Sequence, residues 1–154
     1  MGADMTVRVL WNDEFSVGHI TLDHQHQQLL RQCNALADCI ESTSPGADSR
    51  FHEILYELAV YARTHFETEE ELLAGHGYEG LEAQRQEHFE YRRTVMKIIC
   101  LAAVGEFHKI ELQSFLACWW RDHILESDMA YREFLLGSAR DERSFAIRSR
   151  GENA

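Results

Sequence analysis

Proline is almost missing from this chain: one residue, Pro45, in 154. Glycine is sparse as well, and its nine copies gather at a few breaks. So little punctuation points to long uninterrupted helices. No segment alternates apolar and polar residues with period two, which removes sheet architectures. The longest apolar run, Ile98-Ile99-Cys100-Leu101-Ala102-Ala103-Val104, is too short to span a bilayer. Positive charge is also short, with 15 Lys and Arg against 26 Asp and Glu and a net charge of −11. That excludes the basic stripe of a nucleic-acid binder and docking on an anionic membrane. Met1 to Leu10 lacks the apolar core of a secretory signal. None of the four cysteines, Cys33, Cys39, Cys100 and Cys118, forms a C-x-x-C pair. They read as small buried hydrophobes in a reducing cytoplasm, not as zinc ligands or a disulfide framework.

What is present is helical periodicity. Hydrophobic residues make up 45% of the chain, enough for one domain with a real core. Four amphipathic patterns stand between the breaks. They run from about Leu22 to Glu41, Ser49 to Ala74, Leu81 to Val104 and Phe107 to Leu136. Asp48 or Ser49 is placed to cap the second. Short connections make successive helices antiparallel neighbours, so the expected fold is all-α, an up-down-up-down four-helix bundle. Residues 1–18 form an N-terminal arm whose Trp11 and Phe15 pack on the helices. Residues 19–136 are the bundle, and 137–154 are a polar C-terminal tail or linker rich in arginine.

Six polar residues fall among the apolar faces: His26, His65, Glu69, His88, His123 and Asp128. Each histidine sits on a different helix. Buried polarity on this scale needs a partner. Imidazole and carboxylate together suit iron. His65 and Glu69, four residues apart, face one site from one helix. The five-residue step from His123 to Asp128 is harder, because ideal geometry turns Asp128 well away from His123. A long reach, or a local widening of the helix, is needed to bring it inward. Any one inward histidine is more often a hydrogen-bonded core residue than a ligand; four, one per helix, reverse those odds. In the run Glu67 to Glu71 only Glu69 has the spacing for a site, and the rest read as a solvated face. A ferritin-like di-iron site needs Glu three residues before His, which occurs nowhere here. An axial haem histidine leaves Glu69 and Asp128 unexplained.

Together, Leu22-Asp23-His24-Gln25-His26, His65-Phe66-Glu67-Thr68-Glu69-Glu70, Glu87-His88 and the stretch Trp119-Trp120-Arg121-Asp122-His123-Ile124 through Asp128 resemble a bacterial hemerythrin. The resemblance runs from about Trp11 to Tyr131. It implies two iron ions joined by an oxo or hydroxo bridge, with dioxygen as ligand. Glu69 and Asp128 match the bridging carboxylates. His26 and His65 match the two-histidine iron, which keeps a position open for dioxygen; His88 and His123 match two ligands of the three-histidine iron. The family's third histidine there is Gln84 in this chain. Either the Gln84 oxygen ligates, as a poorer donor than imidazole, or each iron has two histidines and the site is nearly symmetric. Trp119, Trp120 and Ile124 match the oxygen pocket, and Trp120 replaces the family's usual leucine.

The function this resemblance implies is a non-haem di-iron, oxygen-binding domain used for oxygen or redox sensing, a ligand-binding protein more than an enzyme. The alternatives are a free-standing oxygen carrier or store, a protein that reacts with peroxide or NO, and a bundle that has lost its metal through Gln84. Its partners are dioxygen or small anions and a fused or interacting signalling output module. Nucleic acid and membrane are not among them, and the expected location is the cytoplasm.

Overall fold

A computed structural model describes residues 5–106 and 108–151. Its helices are α1 (Ile20–Glu41), α2 (Ala47–Gly75), α3 (Leu81–Ala103), α4 (Lys109–Asp122) and α5 (Met129–Gly151). A six-residue π-helical turn, His123–Asp128, joins α4 to α5, so these two form the bundle's fourth rod. The described residues contain no strand. The protein is an all-α four-helix bundle, as the periodicity predicts.

Local chemistry sets the ends. His19, extended, caps α1 through its Nδ1, which accepts from the Leu22 N–H at 3.5 Å. Helix α2 begins two residues earlier than the sequence predicts and takes no side-chain cap, because the Pro45-Gly46 turn already starts it. Asp48 lies in its first turn, where a carboxylate suits the helix dipole, and pairs with Lys109. At the other end Gly77 adopts φ +69°. The Gly77 and Tyr78 N–H groups then donate to Ala74 and Leu73 carbonyls at 3.1 and 3.0 Å, a Schellman stop that only glycine makes without strain. Phe107, the expected start of the fourth helix, and residues 152–154 of the expected tail lie outside the described residues. The last helix does not stop at Leu136. It passes through Gly137 to Gly151.

The arm from residue 5 is stitched on by amide side chains. Gln113, fully buried, receives the Val7 N–H at 2.8 Å and donates to the Val7 carbonyl at 2.6 Å. Asn34 does the same for Val9, at 3.0 and 2.9 Å. Asp23 accepts the Val17 N–H at 2.8 Å and the Ser16 hydroxyl at 2.6 Å. Phe15 is buried and Trp11 stacks on it, centroids 5.6 Å apart. Of the cysteines, Cys33 alone is buried; Cys39 and Cys118 are half-buried and Cys100 is exposed, because it faces outward on α3. No described helix is long and apolar enough to cross a membrane.

Two apolar clusters fill the bundle. The larger holds Leu29, Phe51, Leu58, Phe66, Leu116 and Trp120; the smaller holds Val17, Leu22, Leu73, Tyr131 and Leu135. Three of the candidate ligands fall between these two sets along their helices. His26 lies between Leu22 and Leu29, Glu69 between Phe66 and Leu73, and Asp128 between Ile124 and Tyr131. The polar residues thus form one layer across the bundle, sealed by hydrophobic packing above and below.

Candidate metal centre

All six residues singled out in the sequence meet in this layer. His26, His65, His88, Glu69 and Asp128 are fully buried, and His123 is 4% exposed. Ligand atoms of His26, His65, Glu69 and Asp128 lie within 4.8 Å of one another, and those of Glu69, His88 and His123 form a second such group. The carboxylates reach both. Glu69 Oε2 is 3.0 Å from His65 Nε2, while its Oε1 is 3.3 Å from His88 Nε2. Asp128 Oδ2 is 3.1 Å from His26 Nε2, while its Oδ1 is 3.1 Å from His123 Nε2. Each carboxylate therefore spans the two histidine pairs.

The π-helical turn explains Asp128. A ladder of i→i+5 bonds takes more residues per turn than the α-helix, so a five-residue step returns to nearly the same face. His123 opens this turn and Asp128 closes it. The Gln84 amide nitrogen steadies it, donating to the Ser127 carbonyl at 2.9 Å and to Asp128 Oδ1 at 3.2 Å. Gln84 thus meets the site through its nitrogen, while its buried Oε1 has no hydrogen bond among the described residues.

Three histidines are oriented by partners that the sequence reading left unassigned. His65 Nδ1 meets Gln25 Oε1 at 2.8 Å, His88 Nδ1 meets Glu70 Oε1 at 2.7 Å and His123 Nδ1 meets Glu87 Oε2 at 2.7 Å. An acceptor on Nδ1 fixes the proton there and turns the Nε2 lone pair inward. Glu70 does not join the solvated face expected of its acidic run: it is partly buried and reaches His88 on α3. Its signal was adjacency to Glu69, indistinguishable in sequence from the rest of an acidic run. Tyr131 adds a buried hydroxyl that donates to Glu69 Oε2 at 3.2 Å.

The electrostatics call for cations. Burial opposes charge on His26, but Asp128 and Glu69 outweigh it and raise its pKa to about 9. His123 rises to about 10 against the same burial, through Asp128 and then Glu87. Burial lowers His65. Burial pushes Glu69 up, yet hydrogen bonds from His26, His65 and His88 hold it well below the usual carboxylate range. Protons on imidazole stand where positive charge is needed. Glu69 Oε1 and Asp128 Oδ2 are short of hydrogen bonds despite their close nitrogens, as is Gln84 Oε1. Orphaned oxygens beside inward imidazole nitrogens are the donor set of a two-cation site, and these residues fit it.

Trp120, fully buried, packs its ring 5.5 Å from His65 and 5.3 Å from Phe66, and its Nε1 donates to Tyr91 Oη at 3.2 Å. Trp119 stacks on His123 at 4.4 Å. Ile124 is fully buried beside them.

Residues 18–135 match the family model described as "Hemerythrin HHE cation binding domain". A "Bacteriohemerythrin" of Pseudomonas aeruginosa (strain PAO1) is 28% identical over 80% of this chain and 78% of its own. One from Clostridium acetobutylicum is 29% identical over 79% of this chain and 97% of its own. A "Hemerythrin-like protein" of Naegleria gruberi is 30% identical over 81% and 92%. With this match covering residues 18–135 and the buried histidine and carboxylate layer at its centre, the chain belongs to the hemerythrin family.

Proposed function

We propose that the protein is a non-haem di-iron, oxygen-binding domain whose role is oxygen or redox sensing. One observation carries the di-iron reading: Glu69 and Asp128 each place one oxygen beside each histidine pair. His26 and His65 would hold one iron, His88 and His123 the other, with both carboxylates shared and the Gln84 oxygen available to the second. Such a pair supplies the electrons and open coordination that dioxygen binding needs.

The chain's own residues do the rest. Gln25, Glu70 and Glu87 keep the Nδ1 protons in place, so the Nε2 atoms stay free to ligate. Tyr131 holds a hydroxyl proton on Glu69. Phe66, Trp120 and Ile124, all buried, exclude water from the layer. Trp119, Trp120 and Ile124 form the wall against which a small gas or anion would lie. Sensing is favoured over storage by the fourth rod. The π-helical turn that supplies His123 and Asp128 runs without a break into α5, which continues to Gly151. A displacement of Asp128 is therefore passed to a helix able to act on an output module, in a cytoplasmic setting.

Anaerobic reconstitution followed by iron analysis and optical spectra tests this. The expected result is two irons per chain and a reversible spectral change when the reduced protein meets oxygen. Iron near one or zero per chain overturns it. Conversion to a permanently oxidised form at first contact with oxygen favours a peroxide- or NO-reacting protein.

A further inference from the structure

Away from the metal layer, α2 and α3 part to leave a groove of about 430 Å³, a volume typical of small-molecule sites. Small side chains make the room: Ala59 and Ala62 face it from α2. Leu55 on α2 and Val95, Met96 and Ile99 on α3 complete apolar walls. Met96 and Ile99 are 59% and 43% exposed, which is costly unless something covers them.

The polar lining differs between the two ends: His52 and Tyr56 lie at the far end, and two arginines lie at the other. Phe66 of α2 stacks on His88 of α3, ring centroids 3.9 Å apart. That contact sets the antiparallel register. Arg63, three residues before Phe66, then lies level with Arg92, four residues after His88. Both line the groove, both at its metal-side end. The Arg92 guanidinium stands 5.7 Å over the Phe66 ring and, among the described residues, has no ion pair. Arg63 pairs with Glu67 only on the surface, an interaction that competes weakly with a ligand. In a chain of net charge −11, two guanidinium groups at one end of an apolar trough stand out. From Arg63 to His52 the trough runs about 16 Å at the helical rise.

We propose that this groove binds a single-chain amphipathic carboxylate, such as a fatty acid, with the alkyl chain between α2 and α3 and the carboxylate on Arg63 and Arg92. A molecule charged at one terminus matches two permanently charged guanidinium groups gathered at one end. A docked protein helix would call for polar partners along both edges. The bound chain would touch Phe66 and Tyr91 at the groove floor. Phe66 stacks on His88 and Tyr91 accepts the Trp120 Nε1–H, so occupancy is reported by tryptophan fluorescence.

The test is calorimetric titration of the whole chain with laurate, below the concentration at which laurate aggregates, with fluorescence followed in parallel. The expected result is saturable one-to-one binding. Ala59→Trp, at an exposed wall position, abolishes it while helix content by circular dichroism stays unchanged. Arg63→Gln with Arg92→Gln weakens laurate at least tenfold and leaves dodecanol, which has no charge, unaffected. Absence of saturable binding overturns the proposal. So does laurate binding that survives Ala59→Trp, or equal weakening of laurate and dodecanol by the arginine changes. Self-association of the ligand-free chain that Ala59→Trp abolishes also overturns it, in favour of an interface between copies.

Discussion

On the α1–α2 side of the buried layer the imidazoles lean on neutral support. His65 has the Gln25 amide, and His26 Nδ1 has no hydrogen-bond partner among the described residues. Across the layer, His88 and His123 lean on carboxylates, Glu70 and Glu87. A carboxylate behind an imidazole makes it a stronger donor. The side that carries Gln84 is thus the side whose two histidines are electronically reinforced. The two halves of the layer are therefore unequal even with two histidines each, and a weaker donor such as Gln84 would be offset from behind the imidazoles beside it.

The harshest way to break this comparison is to remove what both halves share. Glu69→Ala should lose both irons together, because its two oxygens serve opposite sides; metal analysis decides it, and loss of one iron alone would make Glu69 a terminal ligand. A pH series on the metal-free protein comes next. Folding raises the pKa of His26 to about 9 and of His123 to about 10, from 6.5. The folded state therefore holds these protons more tightly than the unfolded one. Their contribution is complete below pH 6.5 and is lost as pH rises through 9 and then 10. The melting temperature of the metal-free protein should fall across that window, and iron should abolish the slope by taking the protons' place. A flat metal-free profile would contradict the account.

Glu87→Gln sharpens the difference between the halves. It should cost iron affinity by about 10- to 100-fold, more than Gln25→Leu costs; chelator competition measures both, and the reverse order would dismiss the reinforcement argument. Trp120→Leu touches both halves through His65 and Phe66, and should cost about 1–3 kcal/mol of stability by chemical denaturation if the space fails to collapse. An accelerated association of azide with the oxidised site would show that the indole also gates it; equal rates would leave it as packing alone. Smallest is Gln84→His. It removes the amide bonds to Ser127 and Asp128, costing about 1 kcal/mol in the metal-free protein. It should lengthen the lifetime of the oxygenated form in stopped-flow mixing by adding a third imidazole beside His88 and His123. An unchanged lifetime would mean that the Gln84 oxygen already fills that place.

Much of the site was legible because helical spacing projects onto space directly. His26, His65, Glu69 and His88 each fall on the apolar stripe of their own helix, and the stripe must face the core. Asp128 was not legible by spacing, since a five-residue step faces inward only where the helix widens; the motif's resemblance to hemerythrins supplied it. Gln25, Glu70 and Glu87 were illegible for a different reason. They reach across to a neighbouring helix, so nothing in their own segment separates them from ordinary surface polarity.

By itself, then, the sequence determined the helical class, the four-rod layout and, Asp128 apart, the polar residues at its centre. Periodicity and the near absence of breakers are local properties of the chain. Only the tertiary structure decided the π-helical turn, the pairing of Glu70 and Glu87 with histidines, the Gln84 amide's orientation toward Asp128 and the groove between α2 and α3. Each of these depends on the register of one helix against another, which is set by packing across the bundle and is written in no single segment.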